Sequence, residues 1–517
     1  MLYGNHNVEN LLGRMGFMVI ISKKKKKTYG NIMEIIKCHS DNSDFSDILI
    51  FDNLDLSIFY YKSLVNKERI QEFILTPIVN NRNKVKVIED IKEVIFIKDV
   101  TVTADRDLIT QSILKGSAVI YFKGEDSKGI IINSLAAEDG LRIQNDAENE
   151  YSVIGPKLGF IESLDTNMKL LRRSLNTPHL KFEEYVIGTT SNTRVAIAYL
   201  EGVTNPEHIH TARQRISDLD YDLICDSSLL DQLISDNSNT PFPLFLTTER
   251  VDRAGYCLIN GQVSILCDGS PYVINAPTTI FDFFVSPEDY LLPWILGTFF
   301  RLIRILGVIF SLAATPVYVA ILTYHIAIIP KDLLGPIIDS RFHVPFPPVL
   351  EALFLEIAME LLREAGARLP TKVGQTLGIV GGIVIGQAAV QAALTSTVLL
   401  ILVALSALAS FTTPTFKMSN TIRFLRFPLI ILASIWGGFG LVAGMVMLYT
   451  HVLRLKSLGI PYFAPLYPFR FTEMSDGFVR LALPYINKRR QIFRPIKKVR
   501  FHVKESNRDT GDDFNNE

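Results

Sequence analysis

The stretch from 296 to 453 limits what this chain can become. It holds runs long and apolar enough to cross a bilayer, which takes about 20 such residues per helix. The run 305–329 is one, with Arg301 and Arg304 before it and Pro316 inside it. Membrane helices tolerate such a kink. The run 424–452 is another, opened by Arg423 and Arg426. Between them, 374–411 is nearly unbroken. As one helix it would exceed about 50 Å at roughly 1.5 Å per residue, so two spans, 374–394 and 396–414, are expected to meet near Thr395. One tilted span with a polar end is the alternative.

Two segments here carry more than hydrophobicity. Gly378, Gly382 and Gly386 recur every fourth residue and leave one helix face without side chains. Lipid gives helices no hydrophobic reason to associate, so close backbone packing of that kind drives assembly. Gln387, Gln391 and Thr395 continue at the same step as a polar line. They read either as interhelical hydrogen bonds or as the lining of a pore. In 346–365, Leu350, Phe354, Ile357, Ala358 and Leu361 share one face, while Glu356, Glu360, Arg363 and Glu364 gather opposite. Glu351 falls on the apolar side. This amphipathic helix should lie at an interface or line a watery vestibule. Its acids are either a solvated face or, in an assembly, carboxylates near a cation pathway.

The rest of the chain is water-compatible. At 517 residues more than one domain is expected. The 53 basic and 53 acidic residues balance, so net charge names no partner. Residues 1–42 read as a disordered basic arm. Lys23 to Lys27 follow the mildly apolar 11–21 instead of preceding it, which is not the order of a secretory signal. Met33 is an alternative initiator. Residues 43–150 and 151–285 read as two soluble α/β subdomains, with strands at 117–124 and 128–135, a helix over 159–175, the strand RVAIAYLEG, and a helix opened by Asn205 and Pro206. The strand–helix alternation points to a mixed sheet. Asn260-Gly261 reads as the type I′ turn of a hairpin between strands 255–259 and 262–267, and 268–271 turns the chain again.

Catalytic signals are absent from the sequence. Thr190, Ser191 and Asp268 fall in turns, where such residues serve the backbone. No phosphate loop, nucleophile elbow or zinc helix occurs, and no Cys/His spacing suits a metal. No cofactor and no enzyme activity are expected. His208 and His210 sit at a polar helix start and read as surface residues. Cys38, Cys225, Cys257 and Cys267 read as reduced thiols. The tail 456–517 begins with proline-spaced aromatics and carries nine Lys/Arg and no acid over 479–504, a stretch suited to anionic headgroups. The soluble region and tail are expected on the cytoplasmic side, which requires an even number of crossings.

Six separated strings sharpen this reading: VIGPKLGFIESLDTNMKLLRR, PFPLFLTTERVDRA, NGQVSILCDGSPYVINAPTT, VPFPPVLEALFLEIAMELLREAGARLP, GQTLGIVGGIVIGQAAVQAALTS and SLGIPYFAPLYP. In this order they resemble the A subunit of spore germinant receptors, the GerA family, over 153–468. A relative that travels with the SpoVA channel proteins shares the motifs. The resemblance implies a soluble N-terminal region followed by an all-α polytopic domain, 286–455, in the spore inner membrane. It implies a homo-oligomer that encloses a cation path, with a permease-like B subunit and a lipoprotein C subunit as partners and no nucleic acid. By segment, it places Glu351, Glu356, Glu360, Gln387 and Gln391 near that path. A secondary transporter, which should show paired repeats, and a non-conducting signalling scaffold are the competing readings.

Overall fold

The computed structural model describes residues 32–51, 56–122 except 83, 86, 88, 89, 96 and 98, then 128–133, 150, 154–368, 386–470, 473, 477–482 and 485–501. The chain divides into two compact units, Met1–Asp41 with Phe45–Ala137, and Asn42–Asp44 with Glu138–Glu517.

The first unit is built on a five-stranded antiparallel sheet in the order β1-β2-β4-β5-β3. Its strands are β1 Phe45–Phe51, β2 Leu56–Tyr61, β3 Val100–Thr103, β4 Ala118–Phe122 and β5 Gly129–Ile132. Every residue of β2, β4 and β5 is buried, which suits their β-branched and aromatic side chains. Helices α1, Ile32–His39, and α2, Arg106–Leu114, contribute Ile32, Ile35, Ile109 and Ile113 to the core. The end of the stretch expected to be a disordered arm is therefore helical. Its apolar residues recur at helical spacing and found a sheet to cover.

In the second unit the sheet runs β6-β7-β9-β10-β8, again antiparallel throughout, where a mixed sheet was expected. The strands are β6 Leu180–Ile187, β7 Thr193–Leu200, β8 Leu246–Thr248, β9 Val263–Cys267 and β10 Val273–Ala276. Helices α3, Leu164–Ser174, and α6, Val251–Ile259, pack on Ala196, Ala198 and Leu266. On the other face α4, Pro206–Ser217, and α5, Ser227–Ile234, pack on Val195, Ile197 and Ile265. A strand covered on both faces has no side to leave polar, which is why RVAIAYL reads as a continuous apolar run.

The expected hairpin at Asn260-Gly261 is not formed. Residues 251–259 are the helix α6, which buries Val251, Ala254 and Leu258. Gly261 takes φ +91°, Gly261 N donates to Leu258 O at 3.0 Å, and Gln262 N donates to Cys257 O at 3.1 Å. These are the two bonds of a Schellman motif. Asn-Gly supplies a positive φ equally well to a hairpin and to a helix end. The i, i+3, i+7 spacing before it decides between them. The turn at 268–271 forms between β9 and β10 as expected.

The helical region follows: α7 Trp294–Tyr324, α8 Lys331–Arg341, α9 Pro348–Arg368, α10 Thr397–Ser410 and α11 Phe416–Arg454. Helices α7 and α11 are long and apolar enough to cross a membrane. The first begins before the expected 305 and ends before 329. The second, read as a single span over 424–452, is broken at Gly437, which has φ 58° and ψ −137°. A Cβ on Gly440 would fall 2.0 Å from Leu432 O, and one on Gly444 would fall 2.6 Å from the Leu429 side chain. In a straight helix those pairs lie roughly 12 Å and 22 Å apart along the axis. The chain thus folds back, and Gly440 lets legs 416–436 and 438–454 meet backbone to backbone, Gly444 backbone to side chain. At 14 residues, α10 is about 21 Å long, less than the expected 396–414 span and short of a bilayer core. Most of the expected span 374–394, with Gly378 and Gly382, lies outside the described residues.

Candidate functional site

The helical region is built inside out relative to the sheets. In α9 the residues Glu351, Ala352, Leu355 and Glu356 are buried. Leu350, Phe354, Ile357 and Leu361, the expected apolar face, are exposed on the single chain, Leu361 to 66%. Helix α9 therefore turns carboxylates to the bundle interior and apolar side chains outward, the reverse of a solvated acidic face. That arrangement suits a lipid or protein surround, where a charge is stable only against a partner inside.

Each buried acid has such a partner. Glu356 Oε2 accepts from Arg426 Nη1 at 2.5 Å, and its Oε1 accepts from Thr315 Oγ1 at 2.8 Å. Arg426 Nη2 donates to Ser311 Oγ at 2.7 Å and to Ser406 O at 3.4 Å. One ion pair thus ties α7, α9, α10 and the first leg of α11 together. Arg426 was expected to open a span. It lies within α11, 2% exposed, and its place in an apolar run is the signal that could have marked it. Toward the other end of α9's buried face, Glu351 Oε1 accepts from Ser396 N at 2.6 Å and from Thr395 Oγ1 at 3.2 Å. Ser396 Oγ is hydrogen-bonded to the Tyr318 hydroxyl at 3.1 Å, and Arg341 Nε lies 3.4 Å from Glu351 Oε2. The structure thus unites Glu351 with Thr395 and keeps Glu356 in a separate cluster. Glu360 is half exposed and pairs with Arg363, whose Nη2 donates to Asn420 Oδ1 at 2.7 Å. Gln387 and Gln391 are exposed on the single chain. A Cβ on Gly386 would meet Leu400 at 3.5 Å, so this glycine packs on α10 of its own chain.

The two ends of the bundle are also fixed. At the sheet end Lys417 Nζ reaches Asp231 at 2.5 Å, Thr421 Oγ1 donates to Pro241 O at 2.5 Å, and His451 Nε2 bonds Thr240 at 2.9 Å. Burial pushes the Asp231 carboxyl above its ordinary range, and Lys417 pulls it part of the way back. Asp289, Arg301 and Arg304 form a buried cluster there, with Arg304 Nη1 also donating to Phe284 O at 2.6 Å. At the far end Tyr324 donates to Ile435 O at 2.7 Å, and Gly438 N donates to His325 Nε2 at 3.1 Å.

Within 485–501, Lys488, Arg494, Lys497 and Lys498 are exposed, whereas Arg489 and Arg490 are taken up by the sheet region. Arg489 Nε donates to Ile259 O at 2.7 Å, Ile496 N donates to Val203 O at 2.9 Å, and Arg490 pairs with Asp282. These cations are spent on carbonyls and an acid of the sheet region, so their charge is less available to headgroups than composition suggests. His208, expected on the surface, is buried beneath this strap, and its Nε2–H donates to Phe493 O at 3.0 Å. A cavity of about 190 Å³ lies between α6, residues 282–291 and Arg490. Tyr256 and Tyr290 meet on its wall as a tilted pair with centroids 5.0 Å apart. Cys225, Cys257 and Cys267 are free thiols, and burial pushes Cys257 and Cys267 up to about 12, which leaves them unreactive. Among the described residues no group of three or more His, Cys, Asp or Glu could hold a metal ion.

The model of the family described as "Bacillus/Clostridium GerA spore germination protein" matches residues 31–492. The chain belongs to the GerA family. Among its relatives, spore germination protein GerQA of Bacillus cereus is 44% identical over 93% of this chain and 95% of its own length. Spore germination protein GerIA of Bacillus cereus is 43% identical over 95% of this chain and 74% of its own. The uncharacterized membrane protein YfkQ of Bacillus subtilis is 36% identical over 82% of each. A solved structure, the N-terminal domain of the A subunit of the Bacillus megaterium germinant receptor GerK3, aligns with 48% of this chain and 97% of that one at 24% identity and TM-score 0.36. For a GerA-family chain, then, the resemblance drawn from six strings extends to nearly the full length.

Proposed function

We propose that this chain is the membrane subunit of a nutrient germinant receptor and that copies of it assemble around a cation path whose opening starts germination. The observation that carries this reading is the inverted bundle. Its interior holds Glu351, Glu356, Thr395, Ser396 and Tyr318, while the flanks of α7, α9, α10 and α11 are bare apolar surface on the single chain. Gln387 and Gln391 are exposed beside the buried Gly386 and Ala389, which suits either a subunit contact or the wet path itself. The chain sits in the spore membrane as a multi-pass protein, with sheets and tail on the cytoplasmic side, and works with a permease-like B subunit and a lipoprotein C subunit. Legs 416–436 and 438–454 run in opposite directions, so the chain after 454 returns to the sheet end, in keeping with that topology.

Nutrient-triggered potassium release from spores tests it. Gln391→Ala should change the rate of release without changing which nutrients trigger it, and unchanged release across Glu351, Glu356, Glu360, Gln387 and Gln391 substitutions would sink the pore role. One observation favours the non-conducting scaffold instead: Arg426 and Arg341 already neutralise both fully buried acids. Purified protein that assembles in vesicles yet passes no current would decide for the scaffold.

A further inference from the structure

We infer that Arg341 is a tethered counter-cation on the Glu351 carboxylate, and that a free monovalent cation takes its place when α8 swings away. This rests on the cation path proposed above and names one binding site and its built-in competitor.

The two buried acids are held differently. Glu356 has a short bond from Arg426 Nη1, and Arg426 Nη2 is engaged by Ser311 and Ser406. Glu351 is fully buried, yet only its Oε1 accepts hydrogen bonds. Its Oε2 and Arg341 Nε lie 3.4 Å apart, and neither has a hydrogen-bond partner among the described residues. The attraction between them is therefore Coulombic, without a directional bond. Such a contact neutralises the acid but leaves an oxygen open to another cation.

The chemistry around the carboxylate selects the ligand. Thr395 Oγ1 bonds the carboxylate directly, and the hydroxyls of Ser396 and Tyr318 complete the cluster. All are oxygen donors, as hard cations require. The site carries one negative charge and, at present, one positive charge from Arg341. A monovalent ion would balance it as Arg341 does, whereas a divalent ion would leave a buried surplus charge.

The competitor is mounted on a weakly held arm. None of the residues of α8 is buried, and Pro336 lies within it. Around Gly335 there is open space, and Phe342, at the C-cap, is 78% exposed. The hydrogen bond from Arg341 Nη2 to Phe346 O at 3.3 Å is local to the following loop. Among the described residues, the pairing with Glu351 is the polar tie between α8 and the bundle.

The test uses the full chain in lipid vesicles with a spin label at Phe342→Cys, the exposed Cys38 and Cys225 being replaced by Ser. In otherwise unmodified protein, potassium chloride should raise the mobile fraction of the label several-fold, and tetramethylammonium chloride at equal ionic strength should not. Arg341→Gln and Glu351→Gln should each begin mobile and ignore potassium, and the exchange Arg341→Glu with Glu351→Arg should hold the label still again. An immobile label in Arg341→Gln, or equal release by tetramethylammonium, would overturn the inference. Cation flux through the same vesicles is read separately. Label release without flux removes the channel role and leaves the site standing, whereas flux without label release removes the site and leaves the channel.

Discussion

The sheet of the second unit and the helical bundle solve opposite problems with the same chain. In the sheet, β7 and β9 are apolar on both faces because helices cover both, and Glu183 of the neighbouring β6 pairs with a part-exposed Arg213. In the bundle, acids and arginines sit inside, and Phe439, Leu361 and Leu408 stand outside. Water expels apolar groups from the surface of the first. A surround without water expels charge from the surface of the second. The stability of the sheet should therefore rest on volume, and that of the bundle on charge pairing.

The largest test of that contrast is Arg426→Ala. It leaves Glu356 buried without its cation and should cost about 3–5 kcal/mol. Thermal unfolding of the purified full chain would register this, and a Glu356→Leu with Arg426→Leu double variant should recover most of it. A double variant no better than the single one would break the comparison. Next comes Ile265→Ala at the centre of β9, expected to cost about 2–5 kcal/mol through lost burial and the cavity left behind. A loss below about 1 kcal/mol in chemical denaturation would mean that the sheet is not packed as described.

The smallest effect concerns His208 under the C-terminal strap. Burial lowers its pKa below the ordinary histidine value, with the Phe493 carbonyl opposing. A group that binds its proton less readily when folded gives full stability above its unfolded pKa, near 6.5, and loses it as pH falls toward the folded value. The strap should loosen between neutral pH and the acid side of that window, seen as faster proteolysis near 490. His208→Gln should flatten the pH dependence. If His208→Gln kept the same slope, the strap would be responding to a different group.

What could be read beforehand follows from how local each signal was. The strands β4 and β5, the Asn205-Pro206 helix start and the long apolar runs each carry their signal within a few residues. Three features did not. Asn260-Gly261 fits two structures, and the spacing before it was outweighed by the turn. Gly437 and Gly438 fell inside one apolar run, 424–452, because a fold-back is visible only when Leu432 and Gly440 are seen against each other. Arg426 and the arginines of 489–490 were read by charge alone, although a guanidinium's role is set by acids and carbonyls far away in the chain, Glu356, Asp282 and Ile259.

The reversal at Gly437 has a bearing on mechanics. Were 416–454 a single rod, its end would emerge at the Tyr324 end, away from the sheet. Instead the final leg comes back to Thr240, and the chain beyond it reaches on to Asp282 and His208. The sheet thus grips the helices by their first and last strokes at once, through Asp289 with Arg301 and through the strap. A small shift of α6 or of residues 282–291 would be transmitted to the first and last helices of the bundle in step, as a hand on both reins turns the whole animal.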